Sequence, residues 1–180
     1  MDPEPASIFL SFFLKPDLLI VMNSLVLIFL LICSALISGS EIAFFSLSQT
    51  QLNEETEESK GNSLVVKLLE RPKRLLATIL ITNNFINILI VLLFAGLSEI
   101  IFEDKDFSIN WQFISISSYI IKFILEVVLV TFLILLFGEV LPKVYASRNA
   151  LKFSKIMAKP VSGLSRLLSV FSLPLIKLTG

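Results

Sequence analysis

Three long apolar runs alternate with polar segments along the chain. Residues 18–40 and 75–98 contain no charged residue, and a third apolar run, residues 119–141, contains few. About 20 consecutive apolar residues suffice for an α-helix to cross the hydrocarbon core of a bilayer. The pattern therefore predicts three transmembrane helices, at about residues 18–40, 75–98 and 119–141.

The segment between the first two spans, residues 41–74, has a different pattern. It passes through an acidic stretch at residues 54–58 and a break at Gly61-Asn62. Apolar residues then recur at helical spacing, at Leu64, Val65, Leu68 and Leu69. We expect this segment to form a helical hairpin at the cytoplasmic surface of the membrane.

The two ends of the chain are apolar but interrupted. Residues 1–17 end in Lys15-Pro16-Asp17 and are too short to cross, so we expect them to lie at the outer interface. Residues 160–180 contain Arg166, Pro174 and Lys177, which favours a juxtamembrane amphipathic helix over a fourth crossing. The transmembrane domain would then comprise residues 18–159.

Composition supports a membrane protein. The chain has 180 residues, 55% of them hydrophobic and 17% charged, and its mean hydropathy is +0.87. Soluble domains carry about 25% charged residues. We therefore predict an all-α membrane protein with three transmembrane helices, a cytoplasmic-side helical hairpin and a juxtamembrane amphipathic helix.

The same composition argues against several functions. Fifteen basic and fifteen acidic residues cancel, so no basic field indicates nucleic-acid binding. Histidine is absent and Cys33 is the single cysteine, which removes the usual general base and any disulfide within one chain. With no nucleophile–base pairing and no phosphate-binding glycine loop, we do not expect an enzyme.

The distribution of basic residues predicts the orientation. Residues 41–74 hold five Lys or Arg and residues 143–180 hold seven, whereas residues 1–17 and 99–117 hold one each. Lys and Arg accumulate in cytoplasmic loops. We therefore expect the hairpin and the carboxy terminus in the cytoplasm and the amino terminus outside, which agrees with an odd number of spans.

Polar side chains lie inside each predicted span. Ser34 and Ser38 share one face of the first span, and Asn83 and Asn87 share one face of the second, because residues four apart lie one above the other. In the third span, Glu139 precedes Pro142, which has no N–H to donate to the carbonyl of Gly138. A carboxylate in hydrocarbon costs roughly 2.5–3.5 kcal/mol unless it faces a cavity or a counter-charge.

With the predicted topology these groups converge in the inner half of the membrane. They would supply hydroxyl, amide, carboxylate and carbonyl oxygens, a set suited to Mg²⁺, Ca²⁺ or Na⁺. Each group also has a structural explanation. Serines can bond back to the carbonyl four residues earlier, asparagines can join helices, and Glu139 can pair with Lys143 at i,i+4.

Three blocks of sequence resemble the signature blocks of the transmembrane domain of the CNNM/CorC family. They are Ser38-Gly39-Ser40-Glu41-Ile42-Ala43-Phe44-Phe45-Ser46-Leu47-Ser48, the run from Leu75 to Asn87 with Thr82-Asn83-Asn84, and Gly138-Glu139-Val140-Leu141-Pro142-Lys143. They occur in the family's order and cover about residues 18–180. One departure is Thr82, where family members usually have glycine.

This resemblance implies a homodimeric domain that binds a dehydrated Mg²⁺ and belongs to a Na⁺-coupled magnesium exporter. The implied ligands are Ser34, Ser38, Asn83 and Glu139 with the Gly138 carbonyl, and Asn87 is the next candidate. Family members usually continue into paired nucleotide-binding CBS modules. We therefore expect this chain to be the membrane part of a longer protein, with nucleotide binding only through modules after residue 180.

The resulting hypothesis is a Mg²⁺ exporter with an inward-facing cavity between its transmembrane helices, in a bacterial cytoplasmic membrane and in contact with lipid. Mg²⁺ would be the transported ion and Na⁺ the possible coupling ion. The alternative is a membrane anchor or sensor that binds Mg²⁺ without moving it and reports to cytoplasmic modules or a partner.

Overall fold

The computed structural model of the chain describes residues 16–58, 63–101, 109–111 and 114–179. Its elements, in chain order, are α1 (Pro16–Phe45), α2 (Gln49–Glu58), α3 (Leu64–Leu69), α4 (Pro72–Ile101), β1 (Ile109–Trp111), β2 (Ile114–Ile116), α5 (Ser118–Leu133), a π-helical segment (Ile134–Val140), α6 (Leu141–Arg148) and α7 (Ala150–Thr179). The predicted all-α membrane fold is confirmed. The predicted interfacial segment in residues 1–17 lies outside the described residues except at its end.

Among the described residues, three helical stretches are long and apolar enough to cross a membrane: Leu18–Phe45, Pro72–Ile101 and Ser118–Arg148. They match the three predicted spans, and each helix continues beyond the apolar run that identified it. Helix α1 packs against α4, against the π-helical segment with α6, and against α7. The first span is therefore the central helix around which the others are arranged.

The third helix does not stop at Pro142. The chain passes from α5 through the π-helical segment into α6, where Pro142 occupies the first turn. The Leu141 N–H donates to the carbonyl of Leu136, five residues back. Proline is tolerated at the start of a helix because its missing N–H has no intrahelical partner there. The change of helix type thus lets the helix continue past Pro142, whereas the predicted third span ended at residue 141.

Helix α7 begins earlier than the predicted juxtamembrane helix. It starts at Ala150 and continues through Pro160. Its Phe153, Met157, Ala158 and Val161 are buried against the rest of the domain. The amphipathic segment is therefore packed on the bundle along its first part.

Two buried apolar clusters hold the helices together, and a polar layer lies between them. The first contains Leu27 of α1, Ile90 and Leu97 of α4, and Val130 of α5. The second joins the other ends of α1 and α4 to α3, α6 and α7, and its members include Phe44, Leu75, Ile79 and Phe153. Along α1, Ser34 lies between the clusters and Ser38 directly follows Ile37 of the second cluster; along α4, Asn83 and Asn87 lie between them.

The connection between the first two spans contains two short helices, α2 and α3, as the predicted hairpin requires. Val65 of α3 is 2% exposed, and Leu64, Leu68 and Leu69 pack against the second cluster. The predicted break at Gly61-Asn62 lies outside the described residues. The hairpin is joined to α7 by Glu55, which accepts a hydrogen bond from Ser63 at 3.0 Å and pairs with Lys155 at 2.6 Å.

The connection between the second and third spans contains a feature that the sequence did not predict. Strands β1 and β2 form a two-stranded antiparallel hairpin in which Ile109 pairs with Ile116 and Trp111 with Ile114. Helix α5 follows directly and is mostly exposed: of its residues, all of which the structure describes, Val130 alone is buried.

Candidate metal site between the transmembrane helices

The centre of the polar layer is the contact between Ser34 of α1 and Gly138 of the π-helical segment. Ser34 is fully buried, and Gly138 is buried as well. A Cβ atom added to Gly138 would lie 2.9 Å from the Ser34 hydroxyl oxygen, closer than real Cβ contacts allow. Glycine at this position therefore lets the serine hydroxyl approach the backbone of the third helix.

The Ser34 hydroxyl also faces both asparagines of α4. It donates a hydrogen bond to Asn87 Oδ1 at 2.7 Å and lies 3.3 Å from Asn83 Oδ1. A hydroxyl has one proton, so it can satisfy only one of these two amide oxygens at a time. Three oxygen atoms from two helices thus lie together with fewer hydrogen-bond donors than acceptors.

Glu139 completes the arrangement from the third helix. Its Oε1 atom lies 3.5 Å from Asn87 Nδ2, at the limit of a hydrogen bond. The side chain is partly buried, in the section of the span where the helix is π-helical. The asparagine amide therefore connects the serine of the first span to the carboxylate of the third.

Two further hydroxyls of the polar layer are buried without a hydrogen-bond partner among the described residues, those of Ser38 and Thr82. Ser38 is one turn from Ser34 on the same face of α1. Ser40, by contrast, donates to the Leu36 carbonyl at 2.6 Å, as expected for a membrane serine that bonds to its own helix. Buried polar groups without partners are uncommon in native proteins and indicate a missing ligand or water.

The alternative pairing of Glu139 with Lys143 is not formed. Lys143 Nζ lies 3.1 Å from Oε2 of Glu41, at the end of α1. Within the described part of the chain, Glu139 makes no ion pair with a lysine or arginine. Sequence reasoning missed the Glu41–Lys143 pair, although both residues directly follow apolar runs that end on the same side of the predicted membrane.

An open groove on the surface of α4 lies beside the site. It is lined by Asn84, Asn87, Ile88, Val91 and Leu92 of that helix. Asn84 is exposed, while Asn83 and Asn87 are partly buried, so α4 turns two of its three asparagines toward the other helices. Asn87 thus borders both the groove and the oxygen cluster.

The donor set is chemically suited to a hard cation. Mg²⁺ binds six oxygens at 2.0–2.1 Å, which places neighbouring ligands about 3 Å apart. The two distances from Ser34 Oγ to the asparagine oxygens, 2.7 and 3.3 Å, lie on either side of that value. No group of three or more His, Cys, Asp or Glu side chains that could hold a metal occurs among the residues that the structure describes.

Most of the chain matches a known protein family. Residues 25–180 match the family described as the Cyclin M transmembrane N-terminal domain, CNNM. The chain belongs to this family. The resemblance carried by the three sequence blocks is thereby confirmed, and the match includes all six residues proposed for the site.

Two curated bacterial relatives support the assignment to CNNM. A UPF0053 protein of Haemophilus influenzae is 29% identical over 164 residues, covering 87% of this chain and 35% of the relative. The UPF0053 inner membrane protein YfjD of Escherichia coli is 29% identical over 144 residues, covering 79% of this chain and 29% of the relative. The chain thus spans about a third of the length of these relatives.

Proposed function

We propose that this CNNM membrane domain transports Mg²⁺, as the ion-binding part of an exporter. The observation that carries the proposal is the Glu139 carboxylate, which lies in a spanning helix 3.5 Å from the amide nitrogen of Asn87, while Lys143 is paired with Glu41. A carboxylate within a membrane needs a cation or a water-filled cavity. A bound divalent cation would provide that charge, and membership of the CNNM family is consistent with a Mg²⁺-related function.

The proposed ligands come from all three spans. Ser34 and Ser38 would contribute hydroxyl oxygens from α1, and Asn83 and Asn87 amide oxygens from α4. The third helix would add the Glu139 carboxylate and the Gly138 carbonyl, which Pro142 cannot occupy because it has no N–H. Oxygens supplied by three packed helices can replace the water that Mg²⁺ gives up reluctantly.

Transport requires that the site open in turn to each side of the membrane. We place the domain in a bacterial cytoplasmic membrane, with the amino terminus outside and the carboxy terminus in the cytoplasm, on the strength of the basic residues in residues 41–74 and 143–180. Mg²⁺ would enter from the cytoplasm and leave outside. Na⁺, another hard cation, would bind oxygens of the same layer and drive the return of the empty site.

The proposed assembly is a homodimer in lipid. Helix α5 carries an exposed apolar face that a second copy would cover: Ile124, Leu125, Val128, Leu129 and Phe132. We expect nucleotide to act only through CBS modules after residue 180, and we propose no nucleic-acid partner.

A second function is favoured by the way in which the site joins the helices. Ser34, Asn87 and Glu139 belong to three different spans and are linked in one chain of contacts. An ion bound there would hold the three spans together. The domain would then signal the presence of Mg²⁺ to cytoplasmic modules without transporting it.

Ion flux separates the two functions. Wild type, Glu139→Gln and the double variant Glu41→Gln/Lys143→Gln would be reconstituted in proteoliposomes, with Mg²⁺ movement followed by an entrapped indicator under an imposed Na⁺ gradient. The double variant removes the whole ion pair and leaves no freed lysine beside Glu139. Transport predicts flux by wild type and the double variant but not by Glu139→Gln. Mg²⁺ binding by wild type without flux would favour the non-transporting anchor or sensor and contradict transport.

A further inference from the structure

A polar cavity, of about 300 Å³, lies at one end of the spans between α3, the start of α4, and α7. Four basic side chains line it, Lys67, Arg71, Arg74 and Arg166, against the single acidic side chain of Glu70. Such an excess of positive charge in a concave site attracts anions. The cavity is separate from the oxygen cluster and shares no residue with it.

Arg74 is held in place within this cavity. Its Nη2 atom donates to the carbonyl of Ser165 on α7 at 2.8 Å, which fixes the guanidinium between α4 and α7. Its Nε atom is buried and has no hydrogen-bond partner among the described residues. A guanidinium presents its donors in a rigid fork that matches phosphate oxygens, so a phosphate here would take up the unused donor.

The start of α4 adds to the positive field. The amino-terminal end of a helix carries partial positive charge, and the first turn of α4 contains no acidic residue. Lys73 and Arg74 lie in that turn and Arg71 precedes it, so three cations surround the positive end of the helix dipole. Such an arrangement is unfavourable by itself and is relieved by a bound anion.

The cavity lies where the apolar part of the second span begins. Arg74 is followed directly by the uncharged run from Leu75, and Leu76 and Leu80 on the next turns of α4 are 37% and 42% exposed. A ligand in the cavity would therefore have a charged end among the arginines and hydrocarbon beside it. This combination favours a lipid over a free anion, because basic pockets at the membrane surface bind anionic headgroups.

We propose that this cavity binds the phosphate headgroup of an anionic phospholipid whose acyl chains lie along the exposed side of α4. Its volume is at the small end of ligand pockets, which suits a headgroup. The bound lipid joins α4 to α7, the helix that leads toward the carboxy terminus. The proposal does not depend on the metal site.

The test is a lipid titration of the full 180-residue chain, purified in detergent and freed of native lipid. Thermal stability is followed against short-chain phosphatidylglycerol, phosphatidylcholine with the same chains, and glycerol phosphate as the free phosphate. We expect saturable stabilisation by phosphatidylglycerol alone. Equal effects of the two lipids, or the same effect from glycerol phosphate, would overturn the lipid site.

Single substitutions test whether phosphatidylglycerol binds in the cavity. Arg71→Gln should weaken apparent binding of phosphatidylglycerol about fivefold, the effect of roughly one basic side chain at a membrane surface. Lys152→Gln is the matched control, since Lys152 is exposed on α7, away from the start of α4, and does not line the cavity. Equal loss in both variants would show general surface attraction and contradict the cavity.

Glu70→Gln should have the opposite effect on the affinity for phosphatidylglycerol, and it tests the proposal even if Arg71→Gln fails to fold. Removing the acidic side chain from the lining should tighten phosphatidylglycerol binding by a similar factor, an effect that a merely structural role of the cavity does not produce. Unchanged or weaker binding in this variant would count against the headgroup site.

Discussion

Lys143 pairs with Glu41 across two helices, with Nζ and Oε2 3.1 Å apart, and does not pair with Glu139 one turn away on its own helix. The two glutamates therefore have different surroundings. Glu41 is neutralised by the protein near the end of a span, whereas Glu139 faces the amide of Asn87. This difference makes Glu139 the residue available to a cation, and removal of the Glu41–Lys143 pair as a whole is the natural control.

Glu139→Gln should abolish stabilisation of the folded domain by Mg²⁺, because it removes the full negative charge assigned to the site. For a ligand that binds the folded state, stabilisation at one hundred times Kd is about 2.7 kcal/mol. The measurement is thermal unfolding in detergent against Mg²⁺, Ca²⁺ and Na⁺. The double variant Glu41→Gln/Lys143→Gln, which removes the neighbouring ion pair as a whole, should keep the Mg²⁺ response. A response retained by Glu139→Gln would remove the carboxylate from the site.

The asparagines of α4 provide a second comparison. Asn87→Ala removes the amide that touches both Ser34 and Glu139, so it should weaken Mg²⁺ binding tenfold or more, about 1.4 kcal/mol. Asn84→Ala changes an exposed neighbour and should bind Mg²⁺ as wild type does. Binding constants from the same thermal titration check this, and equal losses in the two variants would contradict the assignment.

Gly138→Ala should displace the Ser34 hydroxyl, since the new methyl group would lie 2.9 Å from it. We expect a loss of stability of about 1–3 kcal/mol, typical of overpacking, together with loss of the Mg²⁺ response. Ser34→Ala in the same chain should recover much of the stability without recovering Mg²⁺ binding. Denaturation with and without Mg²⁺ separates the change in stability from the loss of Mg²⁺ binding. Recovery of both stability and Mg²⁺ binding in the double variant would mean that the Ser34 hydroxyl is not a ligand.

Gly39 shows a similar steric constraint where α1 contacts α6 and α7. A Cβ there would lie 2.8 Å from Cζ of Phe153 and 3.3 Å from the Pro142 carbonyl, so α1 could not approach α6 and α7 as closely. Gly39→Ala should destabilise the domain by about 1–3 kcal/mol. Gly96→Ala is the matched control, because no atom lies within 4 Å of its Cβ position. Thermal unfolding should show a lower midpoint for Gly39→Ala alone.

Much of the site was accessible from the sequence because the relevant signals are local. Polar residues are rare within apolar runs, and their spacing of four places Ser34 with Ser38 and Asn83 with Asn87 on common helix faces. Because these residues lie at similar depths in the predicted spans, the sequence also indicated that they belong to one polar layer. The three spans themselves followed from length and hydropathy.

The sequence by itself thus determined the number of spanning helices, the helical hairpin and the residues that could supply oxygen to an ion. Only the tertiary structure decided that Ser34 contacts Gly138 and Asn87, that Lys143 pairs with Glu41, and that residues 134–140 are π-helical. The physical reason is that hydropathy and spacing report on a helix in isolation, whereas these contacts depend on the rotation and close approach of one helix against another. A π-helical segment within a spanning helix also changes the direction of every side chain that follows it, relative to a continuous α-helix.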